Sequence, residues 1–237
     1  MKYITLPDTT GERRLSFYLA MEEYVARHLD ERDAFFLWQV GPSVIFGRNQ
    51  RLENEVNVDY CREHSIQMYR RKSGGGCVYA DEGNLMLSYV THEKHVSLAF
   101  HTFTAMVVLV LKRLGIEAVS TVRNDILIGQ RKVSGIACYH LADRSIVHGT
   151  LLYDTNMEHM LHAITPNPEK LRKKGIESVR QRITLLRDLV TLDIEEVKAC
   201  IRDTLCEGER QLTADEVAGI ERMEEDYLKE EFINIIH

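Results

Sequence analysis

Residues 70–76 read RRKSGGG, which sets Arg70, Arg71 and Lys72, followed by Ser73, against three consecutive glycines. Glycine loses more backbone freedom on folding than any other residue, so a run of three suits a chain that takes a positive φ or lies against a ligand. Two readings stay open: a loop or bulge between strands, or a cradle in which bare N–H groups beside guanidinium ions hold a phosphate or carboxylate. The stretch is neither a Walker A loop nor a GxGxxG turn. Any anion geometry here is therefore of another kind.

A second cluster, RNDILIGQRKVSG, brings Arg123, Asn124, Asp125, Arg131, Lys132, Ser134 and Gly135 together over residues 123–135. It reads either as two strands about a Gly129-Gln130 turn with solvated charges or as part of a site. In an alternating strand that starts near Arg131, positions 132 and 134 share a face. Lys132 and Ser134 are then expected to point together. HGTLLYD (residues 148–154) adds His148, Gly149 and Thr150 at the entry to an apolar strand. A lone histidine is more often structural than catalytic, and Asn84 after Gly83 reads first as a turn residue. The histidine pairs at 92/95 and 159/162 lack a third metal ligand, so no structural zinc is expected and the ligands of any metal stay unidentified.

The elements that must hold these residues follow from pattern. Leu15, Leu19, Val25 and Leu29 recur at helical intervals among charges, which predicts an amphipathic helix facing a sheet. Residues 35–40 and 43–47 read as strands joined at Gly41-Pro42, a predicted β-hairpin. Residues 85–91 leave the glycines as a strand, 98–114 form a long helix stopped by Gly115, and strands are expected over 125–128, 132–139 and 146–153. After Thr165-Pro166-Asn167-Pro168 the text turns charge-rich and helical, over 194–205 and 214–232. Successive strands lie too close for crossover helices, so the expected class is α/β with a mainly antiparallel sheet.

At 237 residues, with 44% hydrophobic and 28% charged residues, the chain is expected to fold as one domain over residues 1–237. The net charge of -6 argues against a nucleic-acid or membrane-surface binder and makes any anion site local. With no signal-peptide pattern and no stretch approaching the roughly eighteen apolar residues of a spanning helix, a cytoplasmic location is expected. Five cysteines without a CxxC pair suggest reduced thiols.

Taken together, the segments resemble the lipoate-protein ligase A family, within the biotin and lipoate protein ligase superfamily. FFLWQVGPSVIFGRNQ resembles its early strand pair and Gly-Arg-x-Gln turn, and RRKSGGGCVYADEGN its RRxSGGGxVxxDxGN signature. NDILIGQRKVSG resembles its lysine segment, HGTLLYD its HGTLL strand, and KGIESVRQRITLL its KGIxSVRxRVxNL stretch. The similarity runs over roughly residues 15–190.

The resemblance implies a mixed, largely antiparallel sheet flanked by helices, as in class II aminoacyl-tRNA synthetases and biotin ligases. It implies a two-step acyl transfer: ATP and lipoate give lipoyl-AMP and pyrophosphate, and a lysine of a lipoyl domain on a 2-oxoacid dehydrogenase E2 subunit or glycine-cleavage H protein then takes the lipoyl group. Mg2+ would accompany ATP. By motif position Lys132 would be catalytic, touching both ATP and the lipoyl carboxylate. Arg70, Arg71, Ser73, Gly75, Gly76, Cys77, Val78, Tyr79, Asn84, Asn124, Asp125, Ser134, Gly135, His148, Gly149 and Thr150 would bind ATP or lipoyl-AMP. Val78, Val133 and Ile136 are candidates for the wall of an aliphatic channel.

Family ligases often carry a C-terminal accessory domain, and the sequence stops at His237. The expectation is either a separate accessory subunit or a chain that only transfers pre-activated acyl groups. The latter resembles the octanoyl and lipoyl transferases, which use a cysteine thioester. Cys138 is the residue to test, although their nucleophile occupies a loop before the lysine strand, where this sequence has STVRND. A non-catalytic lipoate binder is the third class.

Overall fold

The computed structural model describes residues 1–7, 11–121, 125–141, 143–164 and 182–234. The chain opens with β1 (Lys2–Thr5), α1 (Leu15–His28) and β2 (Asp33–Trp38). β1 and β2 lie parallel, with α1 as their crossover. β3 (Ser43–Phe46), α2 (Leu52–Glu55), α3 (Val58–Glu63), β4 (Gln67–Arg70) and β5 (Cys77–Ala80) follow. Then come β6 (Asn84–Thr91), α4 (Val96–Arg113), β7 (Val119–Ser120), β8 (Asp125–Ile128), β9 (Arg131–Leu141), β10 (Arg144–Leu152) and α5 (Met157–Ala163). The C-terminal part holds α6 (Ile194–Leu205), β11 (Gly208–Gln211), α7 (Ala214–Leu228) and α8 (Glu230–Ile233).

Eight strands form one sheet in the order β11-β1-β2-β6-β10-β9-β8-β7, and β4-β3-β5 form a second. Period-two alternation sorts β2 cleanly: Ala34, Phe36 and Trp38 face α1 and α7, while Phe35 and Leu37 face α4 and α6. Each buried aromatic of this kind contributes about 1.5–3 kcal/mol of burial free energy, so both faces of the large sheet carry a core. A third core, with Val44, Phe46, Tyr79, Cys61 and Met160, lies between the small sheet and α3 and α5. Asp193 and Thr213 start α6 and α7 with capping boxes that satisfy the first free N–H groups.

Three expectations are corrected. The segments about Gly41-Pro42 are not a hairpin: β2 pairs with β6, whereas β3 crosses to the other sheet and pairs with β4 and β5. All four β3 residues are buried, which suits a central strand better than a hairpin arm. The last helix breaks at Lys229, whose ψ of 130° leaves the helical region. The third concerns α4, which is apolar enough by length and composition to cross a membrane. It packs Phe103, Val107, Val110 and Leu111 into the second core. β1 and β11, short and flanked by charges, carry no alternation long enough to announce them.

Candidate active site

The glycine loop is built around Arg71. This side chain is 5% exposed, and its Nε donates to Ser73 Oγ at 3.0 Å, Nη1 to the Ile45 carbonyl at 3.0 Å, and Nη2 to the carbonyls of Gly74 and Gly76 at 2.7 and 2.8 Å. A guanidinium has five N–H donors, so four are committed to the chain itself. Arg71 thus braces the loop and lends it positive charge, rather than presenting an open fork. Burial lowers its pKa to about 10, which leaves it cationic at neutral pH. Gly75 has φ +92°, and a Cβ on Gly47 would stand 2.0 Å from the Gly75 carbonyl oxygen. Bare backbone at both positions is what lets β3 seat the loop.

Lys132 reaches the same space from the other side. The β8–β9 register pairs Asp125 with Gly135 and Ile126 with Ser134, then shifts so that Leu127 pairs with Lys132. The extra residue, Val133, turns into the core, so Lys132 shares a face with Gly135 and Asp125 instead of Ser134. Lys132 Nζ lies 2.7 Å from Asp125 Oδ1, and a Cβ on Gly135 would lie 3.0 Å from that Nζ. Both backbone groups of Lys132 are tied to residues 182–184, its N–H donating to the Arg182 carbonyl at 2.6 Å and its carbonyl accepting from the Thr184 N–H at 3.0 Å.

Between these walls lies a cleft of about 300 Å³. Arg71, Gly75, Gly76, Cys77 and Val78 line one side, and Asp125, Lys132, Gly135, Ile136 and Ala137 the other. His148, Gly149 and Thr150 run between them, and Leu19, Trp38, Ile45 and Met86 close an apolar end. Thr150 Oγ1 accepts from the Gly135 N–H at 3.2 Å, fixing β9 against β10. One pocket therefore offers bare amides and two cations beside an apolar recess. An acidic head on an aliphatic tail fits that division.

Residues 15–206 match the family described as lipoyl protein ligase A/B catalytic domain. The chain belongs to this family. It is 38% identical over 235 residues to lipoate–protein ligase 1 of Staphylococcus aureus, covering 95% of this chain and 70% of that protein. It is 40% identical over 174 residues to lipoate-protein ligase LplJ of Bacillus subtilis, covering 73% and 53%. The match thus spans 70% of the length of the first of these relatives and 53% of the second. Among solved structures, one from the analysis of an archaeal lipoylation system, a bi-partite lipoate protein ligase and its E2 lipoyl domain from Thermoplasma acidophilum, superposes with a TM-score of 0.86. That match is 26% identical and covers 100% of this chain and 97% of the other. A lipoate-protein ligase A bound with ATP gives a TM-score of 0.82 at 26% identity, covering 98% of both chains.

Several motif residues of this lipoyl ligase-family chain stand away from the cleft. Arg70 points to the far side of β4, where Nε and Nη2 donate to the Ile233 carbonyl at 3.0 and 2.8 Å and Nη1 to the carbonyls of Arg48 and Gln50 at 2.7 and 2.8 Å. Alternation along β4 turns Arg70 away from Tyr69 and the first core, and Tyr79, absent from the cleft lining, packs in the third core. Asn84 is fully buried and donates from Nδ2 to the Tyr79 carbonyl at 3.0 Å, closing a turn. Ser134 and Val133 are buried in β9, and Ser73 lies fully buried beneath the glycines. Asn124 and most of KGIESVRQR lie outside the described residues.

The sequence reading missed Glu22 and the apolar end. Glu22 is fully buried and its carboxylate lies 2.9 Å from His148 Nδ1. The signal was its spacing: Leu15, Leu19, Glu22 and Ala26 form one i, i+4, i+7, i+11 stripe, which puts a carboxylate on the buried face of α1.

Proposed function

We propose that the chain is a lipoate-protein ligase that activates lipoate with ATP and passes the lipoyl group to a lysine of a lipoyl domain. The observation that carries this reading is Lys132 and the triglycine loop on facing walls of one cleft with an apolar end. In the first step a carboxylate oxygen of lipoate attacks the α-phosphorus of ATP, the bond to the β-phosphate oxygen breaks, and pyrophosphate leaves. Two anions must meet for this, and the Lys132 ammonium offsets their repulsion and the charge that develops on the pentacovalent phosphorus. The N–H groups of Gly75 and Gly76 donate to phosphate oxygens, with the Arg71 charge behind them. In the second step a neutral lysine amine attacks the acyl carbon, the carbon–oxygen bond to AMP breaks, and AMP and a proton leave.

Leu19, Trp38, Ile45, Val78, Met86 and Ile136 would house the lipoyl tail. Asp125 is the one carboxylate among the described residues lining the cleft; it would be the protein ligand available to a Mg2+ accompanying ATP, which would supply screening of phosphate charge. The bi-partite archaeal relative supports a single catalytic domain that works with a separate accessory subunit.

The transferase reading through a cysteine thioester is disfavoured by one observation. Cys138 is not among the residues lining the cleft; it packs against the second core, and burial pushes its thiol up to about 12. A thiol so held supplies almost no thiolate at neutral pH. Incubating the chain with ATP, Mg2+, lipoate and a lipoyl domain, with and without an accessory polypeptide, and weighing the intact acceptor tests the proposal. A lipoyl amide that requires ATP supports it. ATP-independent transfer from an octanoylated acyl carrier through a hydroxylamine-sensitive adduct on Cys138 overturns it, and lipoate binding with neither activity points to a binding protein.

A further inference from the structure

Two of the donor-only groups beside the cleft, the Trp38 indole N–H and the Arg71 guanidinium, drain into one buried carboxylate. Trp38 Nε1 donates to Ser88 Oγ at 2.9 Å, and Ser88 Oγ donates to Glu22 Oε1 at 2.6 Å. Arg71 Nε donates to Ser73 Oγ at 3.0 Å, and Ser73 Oγ stands 2.7 Å from His148 Nε2. His148 Nδ1 stands 3.0 and 2.9 Å from the two Glu22 oxygens. Glu22, Ser73 and Ser88 are fully buried, and His148 is 7% exposed.

The direction of the second chain follows from donor counting. Ser73 Oγ accepts from Arg71, so its single hydrogen is free for His148 Nε2, which must then be the unprotonated nitrogen. Nδ1 carries the proton and gives it to Glu22 as a hydrogen bond. Each group is satisfied in this arrangement. A proton on Nε2 instead would point two donors at Ser73 Oγ and leave the serine hydrogen without its acceptor, a costly change in a buried site.

We infer that Glu22 is a positioning residue: as the shared acceptor of both chains, it fixes the Nδ1–H tautomer of His148 and so holds Ser73, Arg71 and the glycine loop in register with Trp38 at the apolar end. The anion-binding and acyl-binding halves of the cleft are then set by one carboxylate that touches neither ligand. This deepens the ligase reading and rests on it for the identity of the ligands, while the tautomer itself belongs to the free chain.

Glu22→Gln keeps the shape but leaves one amide oxygen to accept from both Ser88 Oγ and His148 Nδ1, and turns its N–H₂ donor toward that nitrogen in place of the second carboxylate oxygen. Long-range 1H–15N spectra of the labelled full chain, with the His148 signals identified by their loss in His148→Asn, read the tautomer. Wild type should show protonated Nδ1 and bare Nε2, and Glu22→Gln should reverse or scramble this while staying folded by near-UV circular dichroism. Binding of α,β-methylene-ATP should weaken about tenfold in Glu22→Gln, the cost of a lost hydrogen bond to a charged group, with partial recovery in Glu22→Asp. A wild-type His148 protonated on Nε2, or a folded Glu22→Gln that binds the analogue as wild type does, overturns the inference. If wild type shows the Nδ1–H tautomer and binds the analogue but never makes lipoyl-AMP, the ligase reading fails while the positioning role stands.

Discussion

The ammonium of Lys132 lies 2.7 Å from the Asp125 carboxylate, and this pair faces Gly75 and Gly76 across a single cleft. The side chains are 42% and 31% exposed, so their attraction is screened and adds only about 0–1 kcal/mol to stability. Its consequence is placement. With the Val133 bulge turning Lys132 toward Gly135, and residues 182–184 holding its backbone, the carboxylate sets where a mobile four-carbon stem delivers its charge.

Asp125→Asn should therefore separate activity from stability. Thermal unfolding should move by no more than a few degrees, while lipoate-dependent turnover falls about tenfold because the ammonium is no longer tethered. Stopped-time assays of lipoyl-AMP beside a melting curve check this. Unchanged turnover would show that Asp125 does not place Lys132.

Two glycines form a controlled comparison. A Cβ on Gly47 would press on the Gly75 carbonyl oxygen at 2.0 Å, and one on Gly83 would press on the Asp154 carbonyl oxygen at 2.2 Å. Gly47→Ala and Gly83→Ala should each destabilise by about 1–3 kcal/mol. Gly47→Ala should also weaken ATP-analogue binding by calorimetry, because it displaces the loop. Equal affinities in the two variants would dissociate the triglycine loop from nucleotide binding.

Much of this was legible in the sequence because it rests on local pattern. The stripe from Leu15 to Leu29, the helix stopped at Gly115 with its φ of +80° and the strands bearing Lys132 and His148 all have short-range causes. The joining of RRKSGGG to Lys132 was legible only through family motifs, since it depends on sheet order. What stayed hidden depends on pairing across the chain. Nothing local tells β3 to leave β2, or Val133 to bulge and turn Lys132 away from Ser134. The two arginines look alike in sequence, and only the pleat of β4 sends Arg70 to Ile233.

The Lys72 side of the loop predicts an acid dependence. Glu23 is 4% exposed. Burial alone would raise its pKa, but contacts from Lys72 and Arg27 outweigh burial and hold it below the usual carboxylate range. A carboxyl depressed in the folded state gives stability that is present above the unfolded pKa and is lost as pH falls through the folded value. Urea unfolding at about pH 6 and about pH 3 should show this loss in wild type, and Glu23→Gln should be weaker at neutral pH with a flatter acid limb. Parallel pH curves would assign the acid loss to other groups.

The measurement closest to the central claim is lipoate-dependent exchange of labelled pyrophosphate into ATP, run with and without an accessory polypeptide on wild type and Lys132→Ala, with both confirmed folded. The expected result is exchange in wild type and a fall on the order of 100- to 1,000-fold in Lys132→Ala, as for loss of a preorganised charge-stabilising group. Exchange that survives in Lys132→Ala, or that never appears in wild type, would contradict it.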